Sequence, residues 1–240
     1  GMVGPFSLPP LEAMLADGVN VVAVIVPAVP GDRTSHPRRV EPNLGPPSEL
    51  PLVNPYLERN IIHLAREHEV PVWEVSSLKE AATQALLAEI APQLIVVACF
   101  PFLFPQPLLQ LPEHGCLNLH PSLLPAYRGP EPLFWIARNN EPMTGVTLHF
   151  LDQGLDTGDI VAQTRFERPA GTAGAELERR CAQAGAMLLL EAISRLENGS
   201  LPRRPQPEAQ ASYFPRPGRD DFVVSQQWPA QRAFSFLRGA

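Results

Sequence analysis

Asn118 and His120 stand two residues apart in Cys116-Leu-Asn-Leu-His-Pro-Ser-Leu-Leu-Pro-Ala-Tyr-Arg-Gly129, and Asp156 follows in Gly154-Leu-Asp-Thr-Gly-Asp159. On a β-strand, residues i and i+2 project from one face, so this spacing presents an amide and an imidazole side by side. A proline-flanked turn comes next, and a glycine-rich acidic loop could carry the Asp156 carboxylate to them. The three groups suit acyl transfer: a hydrogen-bond donor, a proton handler, and a group that orients or accepts. Each also has a plain structural reading. A histidine at a strand end is commonly a core residue, an asparagine there commonly caps backbone groups, and Asp159 reads as a turn carboxylate. Asp156 tilts the balance towards chemistry, because its loop offers no packing reason for an acid.

The elements that must position these residues follow from hydrophobic periodicity. Leu8–Ala16 reads as a helix with Ser7 as N-cap and Gly18 at its end. Val21–Val26 is a buried strand, and residues 27–55, rich in proline, form a long irregular excursion. Tyr56–His68 is expected to be helical, Val70–Val75 a short strand, and Leu78–Ile90 a second amphipathic helix. Leu94–Cys99 is the next strand, followed by Phe100-Pro-Phe-Leu-Phe-Pro105, a short helix through Leu111, and the strand Gly115–Leu119. Further on come a helix over Glu131–Asn139, strands over Thr144–Leu151 and Ile160–Phe166, and a long helix over Thr172–Glu197. Residues 201–221 read as an extended strap, Phe222–Val224 as a short strand, and Gln226–Arg238 as a last helix. Strands alternating with helices at these spacings predict right-handed βαβ units and an open, mostly parallel sheet. Ligands of such sheets bind outside the carboxyl ends of the strands, which would gather Phe100–Phe104, Asn118–Pro125 and Asp152–Asp156.

The 240 residues are 45% hydrophobic and 18% charged, and no apolar run is long enough to span a membrane. Gly1-Met-Val-Gly-Pro-Phe6 lacks a basic region ahead of an apolar core, so no secretory signal is expected. Cys99, Cys116 and Cys181 form no paired motif and read as core residues of a cytoplasmic protein, with neither disulfide framework nor metal site. The net charge of −6 argues against a broad nucleic-acid surface. Arg33, Arg38 and Arg39, and separately Arg203 and Arg204, are small basic clusters best read as solvated loops.

Asn-Leu-His-Pro-Ser-Leu-Leu-Pro with Gly-Leu-Asp-Thr-Gly-Asp resembles the signature of the folate-dependent formyltransferases, nearest the methionyl-tRNA group. The likeness extends through Ser7-Leu-Pro-Pro-Leu-Glu12, Leu94-Ile-Val-Val-Ala98, Thr144-Gly-Val-Thr147 and Tyr213-Phe-Pro215, and so covers most of the chain. It implies formyl transfer from 10-formyltetrahydrofolate to a primary amine, with no metal. Asn118, His120 and Asp156 would be the catalytic residues, and the acceptor an amine such as aminoacyl-tRNA. The folate would lie against Phe100, Pro101, Phe102, Leu103 and Phe104 and against Asp152, Gln153, Gly154 and Leu155. Its ring would be read by backbone groups and flanked by exposed aromatic side chains.

The expected fold is therefore α/β, an open Rossmann-like, mostly parallel sheet with helices on both faces. Residues 1–200 would form the catalytic domain and 201–240 a C-terminal extension. The family pattern also contains a first strand ahead of Gly4 and a C-terminal β-barrel, both missing from this sequence. The segment after Val26 has few basic residues, and Ala126 precedes Tyr127 where the tRNA enzymes often carry arginine. The donor side of the reaction is thus better supported than the acceptor side. An amino-sugar nucleotide or another small amine is a rival acceptor. Hydrolysis of the donor to formate and folate binding without turnover are rival functions.

Overall fold

The computed structural model describes residues 4–28, 36–41, 59–197, 199 and 201–240. Its first half runs α1 (Leu8–Ala16), β1 (Val24–Pro27), β2 (Arg38–Arg39), α2 (Ile61–Glu67), β3 (Val72–Val75), α3 (Ala81–Ile90) and β4 (Ile95–Ala98). Its second half runs α4 (Gln106–Leu109), β5 (Cys116–His120), α5 (Pro132–Arg138), β6 (Met143–Phe150), β7 (Ile160–Glu167), α6 (Gly174–Glu197) and α7 (Ala230–Gly239). The α/β class expected from the sequence is what the chain adopts.

Pairing within the sheets is mixed. β1 and β3 run parallel and β2 joins β3 antiparallel, giving the order β1-β3-β2. The larger sheet has the order β4-β5-β6-β7, with only β4 and β5 parallel. The reason lies after β5, where the connections no longer form crossovers: β6 and β7 are joined by a short loop and must run antiparallel. Among the described residues no ladder links the two sheets. A cavity of about 620 Å³ separates β1 from β4, lined by Val24, Ile95, Val97, Met14 and Leu87.

Several boundaries moved for local reasons. α2 starts at Ile61 because Asn60, in extended backbone, accepts hydrogen bonds from the N–H groups of Ile62 and His63. The expected helix start at Tyr56 lies outside the described residues. β2 falls within the stretch expected to be irregular. Phe222–Val224 is not a strand: Arg219–Phe222 makes a short 3₁₀ turn, and Gly218 N–H is held by the Asp221 carboxylate.

The core explains how β5 serves chemistry. Leu117 and Leu119 point to one side and pack with Val146, Leu148, Cys181 and Leu189 beneath α6. Asn118 and His120, on the alternate positions, must point to the other side. That second wall is covered by the chain segments around Tyr127 and Asp156.

Candidate active site

β5 and β6 pair so that Asn118 lies opposite His149 and His120 opposite Thr147. Directly opposed residues share a face, so all four side chains point to the same wall. Asn118 Nδ2 is 3.0 Å from His149 Nε2, and His149 Nδ1 is 2.8 Å from the Phe150 carbonyl. A carbonyl only accepts, so Nδ1 carries the proton and Nε2 accepts from the Asn118 amide. Burial pushes His149 down to about 4, with the nearby His120 as a lesser cause, and Asp156 opposes the shift. His149 is therefore neutral at physiological pH, the state this geometry requires.

His120, 4% exposed, gives Nε2–H to the Tyr127 carbonyl at 2.8 Å. Its Nδ1 faces Asp156 Oδ1 at 3.6 Å, and the same oxygen is 3.7 Å from His149 Nε2. The sequence thus led to three residues that the fold brings together. It missed His149, which alternates correctly along β6 but reveals its partner only once the register of β5 against β6 is known.

Asp156 reaches this wall by an unexpected route. Because β6 is antiparallel to β5, the end of β6 sits beside Leu117, away from His120. The 152–158 loop must therefore fold back across the sheet rather than project from its carboxyl edge. Two close approaches fix that path. Gly129, at φ 117°, gives its N–H to Asp156 Oδ2 at 2.9 Å, and a Cβ there would lie 2.1 Å from the Phe214 carbonyl oxygen. A Cβ at Gly158 would lie 1.9 Å from the Phe150 carbonyl oxygen. Thr147 braces the turn after His120: its hydroxyl donates to the Ser122 carbonyl and accepts from Leu124 N–H and Gln163 Nε2.

The residues expected to face a ring divide into two sets. Phe100, Phe102 and Phe104 are half-buried, contact one another at ring edges and pack with Val75, Leu78, Leu87 and Leu108. They are not the exposed aromatics the sequence suggested, because β4 delivers them to an apolar cluster. Pro101 and Leu103 are exposed, Leu103 by 64%. Asp152, Gln153, Gly154 and Leu155 are also exposed. The Gly154 N–H and Thr157 hydroxyl both donate to Asp152 Oδ1, so that amide is already occupied.

Elsewhere the polar candidates are accounted for. Burial pushes the thiols of Cys99, Cys116 and Cys181 up to about 12, which keeps them as uncharged core groups. Arg38 pairs with Glu74, and Arg203 lies over the Phe150 ring, 3.5 Å from its centroid. Arg33 falls outside the described residues. Among the described residues no group of acidic, histidine and cysteine side chains could hold a metal ion. None of the described helices is long and apolar enough to cross a membrane.

Residues 20–193 match a family model described as formyl transferase. The chain is 33% identical to the methionyl-tRNA formyltransferase of Syntrophus aciditrophicus over 98% of its length and 73% of the relative. It is 39% identical to that of a Synechococcus species over 73% of its length and 55% of the relative. It therefore spans between about half and three quarters of the length of these relatives. Among solved structures it resembles the N-formyltransferase from Helicobacter canadensis in complex with folinic acid and dTDP-3-aminofucose. The TM-score there is 0.63 at 21% identity, covering 99% of this chain and 78% of the other, a likeness of fold.

Proposed function

The chain belongs to the formyl transferase family, and we propose from this premise that it moves a formyl group from 10-formyltetrahydrofolate to a primary amine. The observation that carries the reading is the convergence of Asn118, His120 and Asp156 on one buried wall. The acceptor nitrogen forms a bond to the formyl carbon while the carbonyl oxygen takes the negative charge. Asn118 has one amide hydrogen engaged by His149 and a second one left to meet that oxygen. His120, anchored through Nε2, keeps Nδ1 towards the reaction space as proton handler. Asp156, beside it, holds the charge that develops on the imidazole and accepts the amine proton directly or through water. The carbon–nitrogen bond to the folate then breaks, and the proton passes to the folate nitrogen. Electrons and protons balance without an added reagent.

The folate site in this reading combines Leu103 and Pro101 with the exposed loop Asp152, Gln153, Gly154 and Leu155. Residues 1–200 form the catalytic unit, and residues 201–240 are an extension packed on it. The preferred acceptor is methionyl-tRNA in the cytoplasm, supported by the names of relatives more than 30% identical. An amino-sugar nucleotide ranks second, since that support is a likeness of fold.

The test is tetrahydrofolate formation by the purified protein, with charged initiator tRNA and nucleotide-linked amino sugars as parallel acceptors. Turnover with tRNA, lost in His120→Ala, is the expected result. Formate released at the same rate without any acceptor would make the protein a hydrolase. Folate binding without product on any acceptor would make it a binding module.

A further inference from the structure

Asp156 is not a glycine, yet its backbone sits at φ 57°, in the left-handed region that side chains disfavour. Aspartate enters this region more readily than most residues, and contacts to both its side chain and its backbone fix it there. Its carboxylate has the Gly129 N–H, and its carbonyl is held by a residue far along the chain: Gln206 Nε2 donates to Asp156 O at 2.8 Å and to Gly158 O at 2.8 Å. The other end of the same amide, Oε1, accepts from Arg128 Nε at 3.0 Å and Nη2 at 2.9 Å. Gln206 is buried, and all four of its hydrogen-bonding positions are filled. Its orientation is not ambiguous. Turned around, the amide would set its oxygen against two carbonyls and its hydrogens against a guanidinium.

Arg128 links this clamp to the rest of the site. Two further guanidinium donors reach Glu208, its backbone N–H bonds to Ser212 O at 2.9 Å, and its carbonyl accepts from Phe214 N–H at 2.9 Å. Its neighbours on either side touch the reacting groups: the Tyr127 carbonyl holds His120, and the Gly129 N–H holds Asp156. The strap also grips the start of β7, where Ile160 and Arg204 exchange both backbone hydrogen bonds. One segment of the strap therefore fixes the acid and, through Arg128, the segment that fixes the base.

We propose that Gln206, held by Arg128, is a positioning residue that sets the Asp156 carboxylate against His120. It lies outside residues 20–193, which match the family model, so the catalytic geometry depends on a strap beyond that part of the chain. The proposal rests on the transfer reaction proposed above only for its kinetic consequence.

Gln206→Leu fills the same space without the donors, and Gln206→Glu keeps the link to Arg128 but turns an oxygen towards each carbonyl. Gln210→Leu, at an exposed position on the same strap, is the control. In folded Gln206→Leu, kcat should fall roughly 10–100-fold with the folate KM near that of the wild type, since misplacement of about 1 Å costs that much in rate. The NMR ring resonances of His120, assigned by their loss in His120→Ala, should shift in Gln206→Leu and stay in place in Gln210→Leu. Should Gln206→Leu not fold, Gln206→Glu answers the same question. Unchanged kcat together with superimposable His120 ring resonances in a folded Gln206 variant overturns the proposal. A wild-type protein that transfers formyl to no acceptor overturns the transfer reading instead, and the His120 ring resonances still decide the clamp.

Discussion

The wall of the β4-β5-β6-β7 sheet that carries Asn118 buries His120, Thr147, His149, Asp156, Arg128 and Gln206, whereas the β1-β3-β2 sheet with α2 buries Val24, Val26, Ile61, Leu64, Ala65 and Val72. Among the described residues of the smaller sheet Glu74 is buried and charged, and it meets an exposed arginine. A buried polar group is costly unless its bonds are made, and a partly satisfied network is worse than an apolar one. On the polar wall such bonds are made over long stretches of chain: Asp156 to Gly129, Gln206 to Asp156, Thr147 to Ser122. A wall built only for stability could be apolar, as its counterpart is. The contrast separates residues that fix geometry from residues that supply cohesion, and it can be attacked from both sides.

The largest effect is expected on the polar wall. His120→Ala and Asp156→Asn should each lower kcat by about 10²–10³-fold, the loss typical of removing one preorganised group at a developing charge. Circular dichroism should show both folded. Turnover at the wild-type rate in either would remove the chemical reading of this wall.

The apolar half should respond in the opposite way. Leu64 is buried in α2 against Leu11, Val24 and Val72. Leu64→Ala should cost about 2–5 kcal/mol of stability, read by denaturant unfolding, with kcat per folded molecule unchanged. A fall in kcat at a temperature where the variant is fully folded would mean that the halves are coupled, and the contrast would fail.

His149 offers a test in which both properties move. Its folded-state value is pushed below the ordinary histidine value of 6.5 to about 4, so between those limits the unfolded chain binds more protons than the folded one. Stability should therefore fall as pH drops from 6.5 to 4 and level off below, by about 3 kcal/mol in all. His149→Gln should remove that slope. It should also lower kcat, because protonated or absent His149 no longer accepts from the Asn118 amide. A pH slope unchanged by the substitution would assign it to another group.

What could be read in the sequence follows the range of the forces involved. Asn118 and His120 were legible because strand alternation is local, and α6 because apolar spacing persists over 24 residues. That α2 begins at Ile61 was not legible, because a single capping side chain, Asn60, sets it. β2 was invisible because two exposed arginines form a strand only by pairing with β3. His149 and Gln206 were missed for the same reason on a larger scale. Their roles exist only through register and through contacts across 31 and 50 positions. The antiparallel pairing of β6 with β5 was not legible, because strand direction there is set by long-range contacts that no local pattern records.

The smallest effect, and the strictest check on the contrast, belongs to Arg59. Its guanidinium bridges Glu12, from α1, and Glu67, from α2, at 3.1 and 2.5 Å, with about half of each side chain exposed. The pairing raises the arginine further above its ordinary value, a shift with no consequence at any pH where the protein is folded. Water screens such pairs, and holding three long side chains in one arrangement offsets what attraction remains. Arg59→Ala should therefore leave melting temperature and kcat at wild-type values, in low salt and high salt alike. A melting temperature that dropped only at low salt would show that the first two helices are held by charge as well as by Leu11 and Leu64. The smaller sheet would then owe part of its cohesion to polar contacts, as the larger one does.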